Sequence, residues 1–478
     1  MVAVSAGRLS QLLGDLTVLR PPRYAALADR VRLLIGDGRV PLGARLPAER
    51  ELAGALGLSR ATVTAAYARL REDGWADARQ GAGTFAVLPA GPARGAWLPA
   101  PPDDGAIDLA HAAPAAPPEV PAAFAAALVE LPRHLPGHGY HPAGLPELRA
   151  RIAARYTERG LPTTPEQVVV TTGALAGVSL ALSLLLGPGR PLLVEQPTYP
   201  NALDAARGFG ARLLPTALDP EAPEEWPATA ARALRTVRPP AAYLVPDFAN
   251  PTGRLLGAAD RERLAAELRR ARTVAVVDEA FVELGLDAEP PAPFAAFAPG
   301  TISVGSLSKL FWGGLRIGWI RADADVVRRL TVALARTTMA VAVVEQLAAC
   351  VLLDGIEASR AAVRDRMRDR RAVLLAALAE RLPDWRVPTP PGGLFVWCAL
   401  PSARSSALVL EAERVGVRLA AGPLFGTGHA LEDRLRLPFA QEPEVLRRAV
   451  ALLARADARA SGVRDLPPVE LADVLTVS

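Results

Sequence analysis

Short apolar runs alternate with amphipathic segments between residues 107 and 458, and this alternation restricts the fold more than any other feature of the chain. Strands that alternate with helices predict a largely parallel sheet, whose ligands bind beyond the carboxyl ends of the strands. The expected class of this part is therefore α/β. The runs that read as buried strands are residues 167–172, 191–195, 241–245, 274–278 and 301–304.

Polar residues of ligand-binding types follow these strands. Residues 172–175 (Thr-Gly-Ala-Leu) open a helix whose free N–H groups suit a phosphate. Tyr199 offers a flat ring, Asn250 an amide and Asp278 a carboxylate. Singly these signals are weak, because a core aromatic, a turn residue and a helix cap or surface ion pair explain them equally well. Together with an amine at Lys309 they meet the requirements of pyridoxal phosphate.

Lys309 is the single lysine among the 54 Lys and Arg residues. Arginine stays protonated and cannot form an imine, whereas a lysine amine can lose its proton and condense with an aldehyde. By composition alone, chance survival of one lysine is an equal alternative. The neighbours favour the chemical interpretation, because Ser306 and Ser308 precede the lysine and Arg316 follows seven residues later.

The first 88 residues show a different pattern, typical of a helix-turn-helix. Residues 24–35 have helical apolar spacing. Pro47 suits the first turn of a second helix, Gly57 a tight turn, and Ser59 the N-cap of a third helix. That third helix is expected to bury Val63, Ala66, Tyr67 and Leu70 and to expose Arg60, Thr62, Thr64 and Arg69.

Two short strands are expected next, at residues 75–79 and 84–87, around a glycine-rich turn at 80–83. A capped helix that opens with arginine suits the major groove of DNA, and a hairpin tipped with glycine can approach the phosphate backbone. The segment carries twelve Arg against eight Asp and Glu. A small helical domain with ordinary surface arginines is the alternative.

This segment resembles the winged helix-turn-helix of the GntR superfamily of bacterial regulators. The resemblance rests on Leu-Pro-x-x-Arg-x-Leu-Ala at 46–53, Leu-Gly-x-Ser-Arg-x-Thr-Val at 56–63 and Gln-Gly-x-Gly-Thr at 80–84. It implies contacts with double-stranded operator DNA, made to phosphates or to guanine edges. The residues that it implicates are Arg45, Arg50, Arg60, Thr62 and Gly81.

The later part resembles the fold-type I, aspartate-aminotransferase-like enzymes that depend on pyridoxal 5'-phosphate. The resemblance implies that Lys309 forms the Schiff base and that Asp278 pairs with the pyridine nitrogen. Asn250 would bond the phenolic oxygen, and Tyr199 would stack on the ring. The phosphate would be bound by Ser306, Ser308, Arg316 and the backbone of Ala174 and Leu175.

Two further elements extend this resemblance. Residues 434–440 match the strand whose arginine holds an amino acid carboxylate, and Arg436 is the expected ligand because a bidentate fork suits that anion. An ordinary edge-strand charge is the alternative. Residues 139–149 match an element near the subunit interface of relatives. Tyr140 is therefore expected to reach the neighbouring subunit's cofactor, which implies a homodimer.

One position departs from the family pattern. Where the family usually has Asp-x-Ala-Tyr, this chain has Phe281, so the hydroxyl that commonly supports Asn250 is missing. Cofactor binding is expected to survive this change, whereas efficient transamination is less certain from the pattern.

The two resemblances together are the arrangement of the MocR-type regulators. The expected division is a winged-helix domain at 1–88, a Pro/Ala/Gly-rich linker at 89–106, an aminotransferase-like domain at 107–458 and a tail at 459–478. The large domain is expected at about 146–325, and the flanking parts form the small domain. The resulting hypothesis is a transcription regulator that senses an amino compound or the cofactor itself.

Two alternatives remain: a working aminotransferase with an appended DNA-binding segment, and a scaffold without cofactor. Because no long apolar run and no secretory signal are evident, the expected location is the cytoplasm, without a membrane partner. Cys350 and Cys398 are too few for a metal site or a disulfide framework.

Overall fold

The computed structural model describes residues 3–14, 22–79, 81–89, 105–218, 225–427 and 430–461. Most of the expected linker, part of the wing turn at residue 80, and the tail beyond residue 461 therefore lie outside the described residues. The α-helices are α1 Ala6–Leu13, α2 Arg23–Gly36, α3 Glu49–Leu56, α4 Arg60–Glu72, α5 Glu119–Glu130, α6 Pro146–Glu158, α7 Ala174–Leu185, α8 Pro200–Gly208, α9 Trp226–Val237, α10 Ala258–Ala271, α11 Phe294–Phe297, α12 Ala324–Ala335, α13 Val343–Asp354, α14 Ile356–Arg381, α15 Ser405–Arg414 and α16 Pro443–Ala460. The strands are β1 Ala76–Arg79, β2 Gly83–Ala86, β3 Ile107–Asp108, β4 Val168–Thr171, β5 Pro191–Gln196, β6 Arg212–Ala217, β7 Ala241–Leu244, β8 Val274–Asp278, β9 Ile302–Ser306, β10 Gly318–Arg321, β11 Phe395–Ala399, β12 Val417–Arg418, β13 Ala420–Ala421 and β14 Arg434–Pro438.

Helices α2, α3 and α4 and the β1–β2 hairpin form the expected winged helix around their own core. The turn between α3 and α4 contains Gly57 in the left-handed region (φ 62°), and Ser59 caps α4 by accepting a hydrogen bond from the Thr62 N–H. The expectation for Pro47 is wrong, because α3 begins at Glu49. Pro47 instead lies before the helix, where its carbonyl accepts the buried Tyr67 hydroxyl at 2.9 Å.

A seven-stranded sheet forms the centre of the large domain, in the order β4-β10-β9-β8-β7-β5-β6. All neighbours are parallel except β10, which runs antiparallel to both β4 and β9. Successive residues of a strand point to opposite faces, so Val194 and Val276 join one helix-covered core while Leu193 and Val277 join the other. Five of the strands were predicted from the sequence, whereas β6 and β10 were not.

A smaller antiparallel sheet, β11-β14-β13, packs with α14, α15 and α16 in a third core. The first strand after the linker region, β3, pairs with β12 in parallel, far along the chain. Residues from both ends of the aminotransferase-like part therefore lie together in this smaller unit.

The winged helix lies against α15 through ion pairs. Arg32 on α2 makes a two-pronged contact with Glu413, at 2.7 and 3.3 Å. Arg414 donates to Asp29 at 2.7 Å, and the same carboxylate lies 3.5 Å from Arg69 on α4. One acidic side chain thus connects the expected DNA-reading helix with the small domain through two arginines.

A second group of charges joins the same two parts near the end of α2. Arg39 binds the buried carboxylate of Asp37 at 2.5 Å, lies 3.8 Å from Glu432 and contacts the Ser406 hydroxyl at 3.4 Å. The Arg39 side chain is only 9% exposed. This contact is therefore largely buried between the winged helix and the small domain. In the described parts of the chain, no helix is long and apolar enough to cross a membrane.

Candidate cofactor site

The amino end of α7 forms an anion cup beside the carboxyl edge of the large sheet. Ala174 and Leu175 are the first residues of the helix, and no side chain caps it within the described structure. Arg316 lies against this end, where its Nη2 donates to the Thr172 carbonyl at 2.6 Å. A Cβ on Gly173 would stand 2.8 Å from the same nitrogen. An uncapped helix N-terminus beside a guanidinium favours a phosphate group.

Ser306 and Ser308 complete this side of the cup. The Ser306 hydroxyl lies 3.0 Å from the Ser308 hydroxyl and 3.2 Å from the Ile317 carbonyl, and it accepts the Ser308 N–H at 3.1 Å. Gly318 allows β10 to approach the helix, because a Cβ there would stand 2.8 Å from the Ala174 nitrogen. The structure therefore brings together all the predicted phosphate ligands.

Asp278 ends β8 and is held by two donors. Its Oδ2 accepts the Tyr243 hydroxyl at 2.8 Å, and its Oδ1 accepts the Ala280 N–H at 2.9 Å. Burial raises the pKa of the Asp278 carboxyl, while these hydrogen bonds and the charge of Lys309 oppose the rise. The residue is 5% exposed, so a cationic partner is needed to compensate its charge.

Lys309 lies just beyond β9 and faces the same space. Its Nζ donates to the Ala112 carbonyl at 2.8 Å. Burial, together with the charges of Arg436 and Arg316, lowers the pKa of the amine to about 8, while the charge of Asp278 opposes this shift. A lowered pKa leaves more of the amine unprotonated near neutral pH, which is the form that attacks an aldehyde.

Arg436 on β14 lies next to Asn250. Its Nη1 donates to Asn250 Oδ1 at 3.2 Å, its Nη2 donates to the Ala110 carbonyl, and its guanidinium stands 4.8 Å from the Phe425 ring centre. Burial lowers the pKa of Arg436 to about 10. Because Asn250 accepts through Oδ1, its amide NH₂ remains available as the donor expected for a phenolic oxygen.

Two aromatic residues line the same region. Tyr199 precedes α8, and burial together with the charge of Asp278 raises the pKa of its hydroxyl to about 12, against Arg436 and Arg316. The Phe281 ring centre lies 5.6 Å from Lys309 Nζ. The residue that replaces the usual tyrosine thus faces the amine and offers no donor.

The two faces expected to contact other molecules are on the surface. Arg45, Arg50 and Gly81 are exposed, the Arg60 side chain is 73% exposed, and Thr62 is half-buried. Arg45 belongs to the wing, since a Cβ on Gly83 would stand 2.8 Å from its Nε. The other residues of the set lie on α3, on α4 and in the wing turn.

Tyr140 is separate from the pocket residues described above. It is 57% exposed in the loop between α5 and α6, and its ring stacks on His138 at 5.7 Å.

Some residues of the site were not singled out by the sequence. Tyr243 was counted only as part of an apolar strand, although it is the hydroxyl that binds Asp278. The Ala110 and Ala112 carbonyls contact the two predicted cations. A tyrosine in a strand next to the aspartate strand could have indicated the first contact, whereas no side chain could have indicated the carbonyls.

These residues fit pyridoxal phosphate by the chemistry of their donors. The set combines an amine of lowered pKa, a buried carboxylate, an amide, an aromatic ring and an anion cup. In addition, Arg436 Nε is buried without a hydrogen-bond partner in the described structure, as expected of an arginine that awaits a carboxylate.

Comparison with known proteins identifies both parts of the chain. Residues 118–453 match the family model described as aminotransferase class I and II, and residues 23–86 match the model of bacterial regulatory proteins of the gntR family. The chain belongs to the aminotransferase class I and II family. Its gntR-type domain in front of the aminotransferase domain confirms the predicted MocR-type arrangement and the predicted fold class.

Relatives of this aminotransferase family member include both enzymes and regulators. A 2-aminoadipate transaminase of Thermus thermophilus is 32% identical over 334 residues, which cover 68% of this chain and 81% of that protein. The uncharacterized HTH-type transcriptional regulator YdfD of Bacillus subtilis is 26% identical over 454 residues, covering 88% of this chain and 93% of the relative. YdcR of Escherichia coli, named in the same way, is 28% identical and covers 85% and 92%.

The crystal structure of LysN, the alpha-aminoadipate aminotransferase of Thermus thermophilus, matches with a TM-score of 0.69 and 30% identity. The match covers 76% of this chain and 94% of that one, and the LysN structure contains N-(5'-phosphopyridoxyl)-L-leucine. Pyridoxal 5'-phosphate, the cofactor predicted from the sequence, is thereby confirmed at the level of the family.

Proposed function

We propose that this chain is a transcription regulator that binds operator DNA through its winged helix and senses an amino compound or pyridoxal phosphate through its aminotransferase-like domain. In this proposal residues 1–88 bind DNA, residues 89–106 link the domains, and residues 107–458 bind the effector. The protein acts in the cytoplasm. The fused architecture and the two regulators that share it over most of their length support this assignment.

The cofactor residues keep the roles that the sequence suggested. When bound, pyridoxal phosphate supplies an aldehyde that reacts with amines. Lys309 would hold it through its amine, Asp278 would pair with the pyridine nitrogen, and Asn250 would bond the phenolic oxygen. Tyr199 would stack on the ring. Ala174, Leu175, Ser306, Ser308 and Arg316 would hold the phosphate.

The effector is an amino acid or a related amino compound. Arg436 binds its carboxylate, since the guanidinium has an unpaired Nε and lies over the Phe425 ring at 4.8 Å and the Phe395 ring at 5.7 Å. A carboxylate that binds Arg436 competes with the Ala110 carbonyl and with Asn250 for the same donors. Ligand binding therefore acts on the segment that contains Ala110.

The continuous contact from that segment to the winged helix is the observation that carries the regulatory proposal. Ala110 and Ala112 follow β3, which pairs with β12. Strand β12 comes directly after α15, and α15 holds α2 through the Arg32–Glu413 and Arg414–Asp29 ion pairs. An effector that favours one arrangement of this segment thus biases how the winged helices are presented to DNA.

DNA binding is assigned to the exposed surface of the winged helix. Arg50, Arg60 and Thr62 come from α3 and α4, and Arg45 and Gly81 come from the wing. The ion pairs with α15 involve Asp29 and Arg32 on α2, so docking against the effector domain leaves the proposed DNA surface exposed.

A homodimer is part of this proposal, because two operator half-sites require two winged helices. Large apolar side chains in the segment that leads to Tyr140 are exposed, which supports an interface on this segment. Their exposed fractions are 58% for Leu128, 76% for Val129, 67% for Leu135 and 57% for Tyr140. In the dimer, Tyr140 reaches the neighbouring subunit's cofactor. Sedimentation of the full chain tests this directly, and a monomer at micromolar concentration contradicts it.

Operator affinity measured with and without effector tests the function. Full-length protein loaded with pyridoxal phosphate is titrated against DNA from the flank of its own gene, with a panel of amino acids. The expected result is at least a change of about fivefold in affinity with one amino acid, a typical coupling. The sensing role is contradicted if the protein binds its operator specifically and neither any amino acid nor the addition or removal of the cofactor alters the affinity.

An active aminotransferase is the second candidate, and the complete set of Lys309, Asp278, Asn250 and Arg436 favours it. Sustained turnover of an amino acid and a keto acid at enzyme-like rates would establish this function. Phe281 lacks the hydroxyl that commonly assists in this fold, so the turnover measurement decides whether transamination is retained. Borohydride trapping followed by peptide mapping tests the cofactor itself, since label must appear at Lys309.

A further inference from the structure

Tyr243 carries a buried hydroxyl that binds the carboxylate assigned to the cofactor. It lies on β7, is completely buried, and donates to Asp278 Oδ2 at 2.8 Å. We infer that Tyr243 is a positioning residue that keeps Asp278 ionised and oriented for the pyridine nitrogen. The inference rests on the proposed function only through the cofactor, because DNA binding plays no part in it.

The sheet register explains why this tyrosine reaches the aspartate. Strands β7 and β8 are parallel neighbours, and Tyr243 pairs with Val276, two residues before Asp278. Side chains two residues apart point to the same face of a sheet, and a long side chain can reach its diagonal neighbour. The contact is therefore set by the backbone of the two central strands.

The surroundings make a hydroxyl donor important at this point. Burial raises the pKa of Asp278, and a carboxylate removed from water stays ionised only where donors or cations compensate it. The donors are the Tyr243 hydroxyl and the Ala280 N–H, and the facing cation is Lys309.

Tyr243 itself stays protonated and can only donate to this carboxylate. Burial, with the nearby charges of Asp278 and Glu195 and the hydroxyl of Tyr199, raises the pKa of Tyr243 well above its usual value. Phe281 supplies no hydroxyl to the site. The buried tyrosine of β7 therefore acts on the acid–base state of the ring nitrogen through Asp278.

The test is the Tyr243→Phe substitution in the full-length protein, with two measurements. The first is the ¹⁵N resonance of the pyridine nitrogen of bound, ¹⁵N-labelled pyridoxal phosphate. The second is the dissociation constant of the cofactor. Without the donor, the proton shifts from the ring nitrogen towards Asp278, so the resonance moves towards that of neutral pyridine. The dissociation constant rises about tenfold or more, the usual loss for a hydrogen bond to a charged group.

Tyr156→Phe is the matched control. Tyr156 is also buried and donates to a carboxylate, Glu279 Oε2, at 2.7 Å. Glu279 is the neighbour of Asp278 in the chain, but its contacts are with Tyr156, Ser303 and Arg159. The control is expected to leave the ¹⁵N resonance unchanged and the dissociation constant within about twofold. Equal effects of both substitutions would overturn the inference.

A second test in the Asp278→Asn variant separates a positioning role of Tyr243 from a packing role. In this variant, removal of the Tyr243 hydroxyl does not leave a buried carboxylate without its donor. There, the further Tyr243→Phe change is expected to alter the dissociation constant by less than about twofold, because the group through which it acts is gone. The same fold-change in both backgrounds shows a packing role and refutes the inference. Cofactor binding by wild type with no response to Tyr243→Phe refutes it too. If wild type binds no cofactor, the proposed function fails first.

Discussion

Reversal of one charge at the contact between α2 and α15 tests how the effector domain communicates with the winged helix. In the wild type, Arg32 makes a two-pronged contact with the Glu413 carboxylate. Glu413→Arg places an arginine opposite Arg32 instead. The reversed pair Arg32→Glu with Glu413→Arg restores opposite charges at the same place. The single variant is expected to undock the winged helix, and the double variant is expected to dock it again.

The size of the effect follows from the exposure of the pair. The Arg32 side chain is 26% exposed and that of Glu413 is 49% exposed, so solvent screens their attraction. The lost pair is worth about 0.2–1 kcal/mol, as for exposed ion pairs in general. Repulsion between the two arginines adds about 1 kcal/mol at 4 Å in water. The sum of about 1.2–2 kcal/mol should therefore shift the docking equilibrium by about 8- to 30-fold.

Fluorescence energy transfer between dyes on the winged helix and on the aminotransferase-like domain measures docking. Operator affinity with and without effector measures coupling. In Glu413→Arg, energy transfer is expected to fall and the effector is expected to change affinity by a smaller factor. The matched control reverses Asp354, which pairs with Arg151 at 2.7 Å on the surface of the aminotransferase-like domain. Coupling that is unchanged in Glu413→Arg, or lost equally in Asp354→Arg, refutes the role of this contact.

Three further outcomes are expected. Arg60→Ala should weaken operator affinity by about 1–3 kcal/mol if the side chain reads a base, and unchanged binding at physiological salt contradicts that role. Capture of pyridoxal phosphate at Lys309, trapped by borohydride, should increase as pH rises through about 8, because the lowered pKa of the amine sets its neutral fraction; a midpoint shifted up to the ordinary lysine value contradicts the burial argument. Phe281→Tyr should tighten cofactor binding by supplying a donor near Asn250, measured by titration, and weaker binding with an intact fold shows that the ring packing dominates.

The sequence predicted those features that depend on local chemistry. Ser59 was recognised as a cap because its hydroxyl serves the backbone of its own helix, and it does so in the structure. The five buried strands were predicted because short apolar runs between turn signals are typical of strands in the middle of a sheet. Lys309, Asp278 and Asn250 were singled out because each lies at or shortly after the carboxyl end of a strand, and parallel strands bring such ends to one edge.

The features that the sequence did not predict depend on contacts between distant segments. Strand β10 was not predicted because it has only four residues, follows the glycine-rich stretch after Lys309 and runs antiparallel to its neighbours. Pro47 was placed inside a helix by its usual preference, but the buried Tyr67 hydroxyl binds its carbonyl before the helix begins. The tertiary contact with Tyr67 thus overrides the local preference of proline for the first turn of a helix.

Thermodynamic reciprocity gives the contact between the two domains a consequence in the opposite direction. If an effector at Arg436 changes operator affinity by some factor, operator DNA must change effector affinity by the same factor. Asp29 is placed to share in this coupling, because its carboxylate lies between Arg414 of α15 and Arg69 of α4. If DNA draws α4 away from Asp29, the contact between Asp29 and Arg414 changes. Because Arg414 belongs to α15, this change passes through α15 and β12 to the segment that contacts Arg436. A regulator therefore shows operator-dependent effector affinity, whereas an aminotransferase with an idle winged helix has the same affinity with and without DNA.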